Sequence, residues 1–278
     1  MSSVRSTQHG LVLLTVAGCL SLGMATSGHA ALIAYDNAAD PAYDDGWQAG
    51  DNGGIGFQPW VAVAPATINS SMGNGAYDTY PVSPIVTSDR AWNIRPGNSG
   101  DLDAVQVFAT RGFTGSLDIG QTVQLDFDWG GQGGGWGSDA GFSFLGADGS
   151  VRFTVARRHG ASQTLHYFDG GGEHDLGVVT RRSGVRTELT LVTADTFSVK
   201  ITTGLDDAEP NIMEFTGTLA GTAGSGLTTL SLYKKGDHTG SGDNRHNLLF
   251  NNLAIVPEPS ALTALGAGAL LLARRRRK

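Results

Sequence analysis

One cysteine occurs in 278 residues, Cys19, and it lies in an apolar stretch close to the N-terminus. A disulfide framework, a cysteine-ligated zinc and a thiol nucleophile are therefore excluded from the body of the chain. Charged residues are sparse, at 16%. Between the two ends there is no long apolar run and almost no apolar periodicity of 3.6 residues, so a helical bundle is excluded. There is no Gly-x-Ser-x-Gly for a serine nucleophile, no His-Glu-x-x-His for zinc and no EF-hand loop. The glycine-rich run after Trp129 leads into strand-like sequence and not into a helix, so it cradles no phosphate. No internal repeat of fixed period is visible, which argues against propellers and solenoids.

Glycine, by contrast, is abundant, with 41 residues, about twice its usual share. Apolar residues alternate at period two and are interrupted by Gly, Asp, Asn and Ser about every ten residues. This is the pattern of an all-β protein. It is clearest at Val123, Leu125, Phe127 and Trp129, with Gln124, Asp126 and Asp128 on the opposite, solvent-facing side. Val151, Phe153 and Val155 repeat it, as do Leu189 and Leu191, then Phe197, Val199 and Ile201. Leu230, Leu232 and the run Leu248-Leu249-Phe250 complete about 12 strand candidates. Asp148-Gly149 between two of them predicts a type I′ hairpin. One core for residues 31–256 implies two packed antiparallel sheets.

The two ends have a different character. Arg5, the apolar stretch 11–25 and the small residues around Ala30 form a secretory signal over residues 1–30, with cleavage between Ala30 and Ala31. Val16-Ala17-Gly18-Cys19 offers an alternative, a lipobox that would place a lipid on Cys19. At the other end, Pro257-Glu258-Pro259 breaks regular structure. The apolar run 261–273 follows, then Arg274, Arg275, Arg276, Arg277 and Lys278. Five cations behind an apolar helix remain cytoplasmic and stop translocation. A run of 13 is short of the ~20 residues that span a bilayer comfortably, so a processed signal fits better than a plain tail anchor.

These three parts, in this order, closely resemble the PEP-CTERM sorting signal of Gram-negative surface proteins. The resemblance implies recognition of Pro257-Glu258-Pro259 by the membrane peptidase exosortase, transient insertion of the C-terminal helix and delivery to the cell surface. It also implies signal peptidase as a partner at the other end. A second resemblance rests on Tyr35-Asp36-Asn37-Ala38-Ala39, Gly46-Trp47, the glycine-rich segment 50–57, Pro59-Trp60, residues 120–128 and residues 250–255. These are similar to a group of PEP-CTERM proteins with a concanavalin-like domain, which implies a jelly roll but brings no catalytic residues. The expected architecture is an all-β, antiparallel two-sheet jelly-roll sandwich over residues 31–256. It is flanked by an N-terminal signal helix and by a C-terminal membrane helix within the sorting signal, residues 257–278.

Six of the 19 Lys and Arg and one of the 26 Asp and Glu lie in the two end segments. The domain between them therefore carries a net charge near −12, which disfavours nucleic acid and anionic membranes. Neutral glycans such as the extracellular polysaccharide of a biofilm matrix, cations, or solubility alone are compatible with that charge.

Candidate chemistry is thin. Glu173-His174-Asp175 begins a glycosidase-like carboxylate pattern on a jelly roll, but no second Glu follows at the required spacing, so both acids are expected in a loop. Residues 134–142 approach a calcium β-roll repeat in a single copy. The acidic loops 40–51, 169–175 and 237–243 offer oxygen ligands for calcium with no defined ligand set. His159, His166, His174, His238 and His246 show no zinc spacing and are read as surface or edge-strand residues. Trp47, Trp60, Trp92, Trp129 and Trp136 would stack on sugars if exposed; Trp129 has a core-facing phase, and Trp136, in a glycine-rich loop, is the best glycan contact. The expected role is non-enzymatic, structural or glycan-binding. The alternative is a glycan-active hydrolase with a carboxylate pair not evident in the sequence.

Overall fold

The computed structural model describes residues 33–63, 71–73, 83–95, 106–129, 139–158, 164–180, 183–235 and 248–257. Within them lie fifteen strands. The first five are β1 (Ala34–Asp36), β2 (Phe57–Val63), β3 (Ser71–Gly73), β4 (Trp92–Arg95) and β5 (Gln106–Phe113). The next five are β6 (Thr122–Trp129), β7 (Ala140–Gly146), β8 (Val151–Arg157), β9 (Leu165–Asp169) and β10 (Gly172–Asp175). The last are β11 (Val185–Leu191), β12 (Thr196–Thr203), β13 (Asn211–Thr218), β14 (Leu227–Lys235) and β15 (Leu248–Val256). The three beyond the expected number are accounted for by strands such as β1, β3 and β10, which at three or four residues are too short to show a period.

All pairings are antiparallel and form two sheets. The eight-stranded sheet runs β13-β12-β11-β6-β15-β4-β3, with β1 on the free part of β15. The seven-stranded sheet runs β10-β9-β8-β7-β14-β5-β2. Alternation explains the core between them. Val123, Leu125, Phe127 and Trp129 of β6 are buried, as the period predicted, and so are Phe142 and Phe144 of β7. Edge-to-face rings join the sheets at Phe127–Phe142, 5.4 Å apart, and at Phe153–Phe197, 4.9 Å apart. Each such ring contributes roughly 1.5–3 kcal/mol through burial alone.

Three local expectations are corrected. Asp126 and Asp128 are not solvent-facing: each is 1% exposed. Arg186 grips Asp126 with two bonds of 2.7 and 2.8 Å, and Asn252 Nδ2 donates a third at 2.9 Å. Ser83 Oγ donates to Asp128 at 2.5 Å. The segment around Ile85 and Ala91 packs on Leu249 and covers this part of the outer face. Val151 is not core but half exposed, because a bulge opposite Phe144/Leu145 inserts Arg152 into the strand. Arg152 instead turns inward, fully buried, and meets Asp195 at 2.5 Å. The Asp148-Gly149 hairpin is not type I′. Its turn closes from Gly149 N to Gly146 O, and Gly149 has a positive φ while Asp148 does not.

A second bulge shapes β15. Its register shifts between Asn251 and Ala254, where Asn252 adopts φ 53°. β4 pairs before the bulge and β1 after it, so two short strands share one edge. Asn251, the last paired residue before the bulge, donates to Ile85 O at 2.7 Å and Arg90 O at 3.1 Å, and accepts from Ala38 N at 2.9 Å. It pins two loops at once.

The signal helix of residues 1–30 and the C-terminal membrane helix lie outside the described residues, together with Ala30, Ala31, Trp136, Glu258, Pro259 and Arg274 to Lys278. Among the described residues the only helix is a 3-10 turn, Pro41–Tyr43, and no helix is long and apolar enough to cross a membrane.

Candidate functional site

Two features hold the polar residues of interest. The first is built from the N-terminal motif. Asp36 ends β1, Asp40 caps the 3-10 turn through Ala42 N at 2.9 Å, and Tyr43 closes that turn with its side chain pointing inward. Tyr43 donates to Asp36 Oδ2 at 2.5 Å. Arg111 of β5 lies 2.7 Å from the same carboxylate and donates 2.8 Å to Tyr43 Oη. A further Arg111 bond, 2.7 Å, reaches the carbonyl of Gly53. Trp60 Nε1 donates to Tyr43 Oη at 3.1 Å, and the guanidinium sits 5.1 Å above the Trp60 ring.

Trp47, Trp60 and Trp92 pack edge-on around this group and are buried, so none offers a face to a sugar. Burial pushes the Asp36 carboxyl up to about 6, against the pull of Arg111. The Tyr43 phenol is also raised, by burial and the neighbouring carboxylate. This network is closed to solvent. Its chemistry is structural, and it explains why the motif combines acids, tryptophans and glycines.

The second feature is an open groove of about 540 Å³ on the outer face of the seven-stranded sheet. Strand register sets its floor. Phe168 pairs with Thr154, Thr154 with Ser143, Ser143 with Ser231 and Ser231 with Thr110, a direct cross-strand row. Ser143 and Thr154 share a hydrogen bond of 2.7 Å. Leu145 and Val151 line one side, Phe108 and Tyr233 the other. Burial and the nearby Asp139 raise the Tyr233 phenol, so it stays a neutral donor.

At one end Arg158 bonds Asp139 through Nη1 and Glu173 through Nε, the latter at 3.0 Å, and lies over Phe168. His166 Nδ1 is 2.9 Å from the same Glu173 oxygen. Glu173 and Asp175, expected in a loop, therefore stand on the edge strand β10. His174, on the same strand, stacks on Tyr167 at 4.4 Å, in keeping with an edge-strand residue.

The calcium loops are engaged elsewhere. Asp40 also accepts from Gly54 N at 3.0 Å, Asp51 accepts from Gln48 N, and Asp44 pairs with Arg90. Loop 237–243 and most of the β-roll-like segment 134–142 lie outside the described residues. Among the described residues no group of three or more His, Cys, Asp or Glu side chains could hold a metal ion.

The domain thus ends at β15, whose last residue, Val256, leads into Pro257 and the charged tail. Residues 256–278 match the model of the PEP-CTERM protein-sorting motif. The chain carries this sorting motif at its C-terminus. The PEP-CTERM motif implies export with C-terminal anchoring and processing by exosortase.

No curated protein matches the chain in sequence. In structure it is similar to the catalytic domain of a glycoside hydrolase family 131 protein from Coprinopsis cinerea. That likeness has a TM-score of 0.48 and 13% identity, and covers 80% of this chain and 91% of the other. It is also similar to the exoplasmic/lumenal domain of VIP36 in a Ca2+-bound form, with TM-score 0.39, 11% identity and coverage of 68% and 83%. A legume lectin-like domain from Entamoeba histolytica gives 0.41, 9%, 68% and 90%.

Proposed function

We propose that this chain is an exported cell-surface or extracellular-matrix protein whose sandwich has a non-enzymatic, glycan-binding role. The carrying observation is the groove: aromatic and aliphatic walls above a floor of serine and threonine hydroxyls. Apolar surface with a few placed polar groups is the usual make-up of a small-ligand site. Sugars match it, because their C–H faces pack on aromatic rings while their hydroxyls pair with side-chain hydroxyls. Trp136, three residues before Asp139 in sequence, is proposed as an added contact.

The test is a glycan array probed with residues 31–256, the range that contains every strand described, with and without calcium. Saturable binding that Tyr233→Ala weakens is the expected result, and a calcium requirement would assign an ion to the acidic loops. Absence of binding in both conditions overturns the reading and leaves a purely structural role.

One observation favours a second reading. Asp139 and Glu173 stand at the same end of the groove, and a hydrolase would need two such carboxyls. Both are committed to one guanidinium, whereas a glycosidase needs one carboxyl available to protonate the leaving oxygen. Release of reducing ends that is lost in Glu173→Gln would favour the hydrolase.

A further inference from the structure

We infer that the groove takes an internal stretch of a linear, uncharged polysaccharide laid across the strands, and not a sugar terminus or an acidic glycan. The inference rests on the glycan-binding reading above and specifies its ligand.

Direction comes from register. The floor row runs at right angles to the strands, and adjacent strands lie ~4.7–4.9 Å apart, so the four hydroxyls of Thr154, Ser143, Ser231 and Thr110 span roughly 14 Å. One polar contact per strand suits a chain whose sugar units repeat at a comparable spacing. The row does not stop at either side. Thr110 pairs onward with Val61 on the outermost strand β2, and Phe168 pairs with Glu173 on the opposite outermost strand β10. A pocket for a sugar terminus needs a closed end, whereas this row crosses the sheet from edge to edge.

Depth comes from side-chain size. Ser143 and Thr154 are only 6% exposed although they lie on the outer face of the sheet. Beside them the neighbouring row passes from Tyr233 to Gly141 and Ala156, two small residues that leave a trough wall only at Tyr233 and Phe108. Gly141 cannot be enlarged: a Cβ there would stand 2.1 Å from Val155 O.

Charge decides against acidic sugars. Asp139 and Arg158 are the charged residues of the lining, and Arg158 already faces both Asp139 and Glu173. The one cation of the lining is thus already paired, so a uronate or sulfate would find no uncommitted positive charge there. Hydroxyls on the floor donate and accept equally and pair well with neutral sugar hydroxyls.

The experiment measures binding of the full-length chain in mild detergent to di- and hexasaccharides of linear β-glucan, mannan and xylan, and to polygalacturonate. Ser231→Trp fills the middle of the floor, and Ser231→Ala removes its hydroxyl without added bulk. Thermal melts check that both variants fold. The expected result is a neutral hexamer bound at least about tenfold more tightly than its dimer, with polygalacturonate weakest. Ser231→Trp should abolish binding and Ser231→Ala weaken it about three- to tenfold, the worth of one hydrogen bond. If Ser231→Trp does not fold, Ser231→Ala alone decides.

Equal affinity for dimer and hexamer, or tighter binding of polygalacturonate, with either still lost in the Ser231 variants, overturns the linear neutral ligand and leaves glycan binding standing. If no saccharide binds, or the Ser231 variants bind like the wild type, the glycan reading of this groove falls as well.

Discussion

Arg111 Nη1 lies 2.7 Å from Asp36 Oδ2, with both side chains fully buried. The strands that bring them together, β5 and β1, belong to different sheets, so this ion pair ties the two layers at one end of the sandwich. Removing one partner of such a pair leaves an uncompensated interior charge. Arg111→Met is expected to lower unfolding stability at pH 7 by about 3–5 kcal/mol. Urea unfolding checks it, and a loss under 1 kcal/mol would mean the pair carries little of the end closure.

The same carboxyl predicts a pH response. The folded-state value is about 6, above the unfolded reference of 3.8. Between those values the folded protein holds a proton that the unfolded chain has released. Stability from Asp36 is therefore complete below about pH 4 and is lost as pH rises through 6. Asp36→Asn cannot titrate. The wild-type stability minus that of Asp36→Asn should fall by roughly 3 kcal/mol between pH 4 and 7. A pH-independent difference would contradict the assignment.

Lys234 gives a slope of opposite sign. Its ammonium is buried inside the sandwich with Arg157 close by, which pulls it down to about 7. Above that pH the folded state has lost a proton that the unfolded chain keeps until about 10.4, so stability rises with pH across the window. The wild-type stability minus that of Lys234→Met should rise between pH 7 and pH 10. Melts at the two pH values decide.

Asn251 serves three backbone groups from two loops, so its loss is not local. Asn251→Ala strands the carbonyl of Ile85 and the amide of Ala38 and leaves the carbonyl of Arg90 with only its bond from Thr87 N. The expected cost is about 3 kcal/mol. Hydrogen exchange should show faster opening around residues 83–91 while the β6 amides stay protected. Uniform loss of protection would refute the pinning role.

How much of this was legible beforehand depended on how far each feature reaches along the chain. The inward face of β6 was read directly, since alternation is a property of consecutive residues. Its outer face was misread because Asp126 and Asp128 find their partners at Arg186 and Ser83, in segments with no periodic link to β6. The N-terminal motif was visible as a pattern, but its role needed Arg111, 75 residues beyond Asp36. Val151 fitted the core period and failed because a bulge, which leaves no mark in an apolar pattern, shifted its phase. The groove floor was hidden for a similar reason. Thr110, Ser143, Thr154 and Ser231 become a row only once four strands take their register.

β15 has one more consequence. It is hydrogen-bonded along both edges, to β6 on one side and to β4 and β1 on the other, and its final residue leads straight into the sorting motif. A pull on the anchored end therefore acts along the axis of an interior strand. The ladder is loaded in shear, with its hydrogen bonds sharing the tension, whereas an edge strand pulled sideways would unzip one bond at a time. Under flow or traction the domain should hold on through a strand bonded on both sides, in the sheet that does not carry the groove.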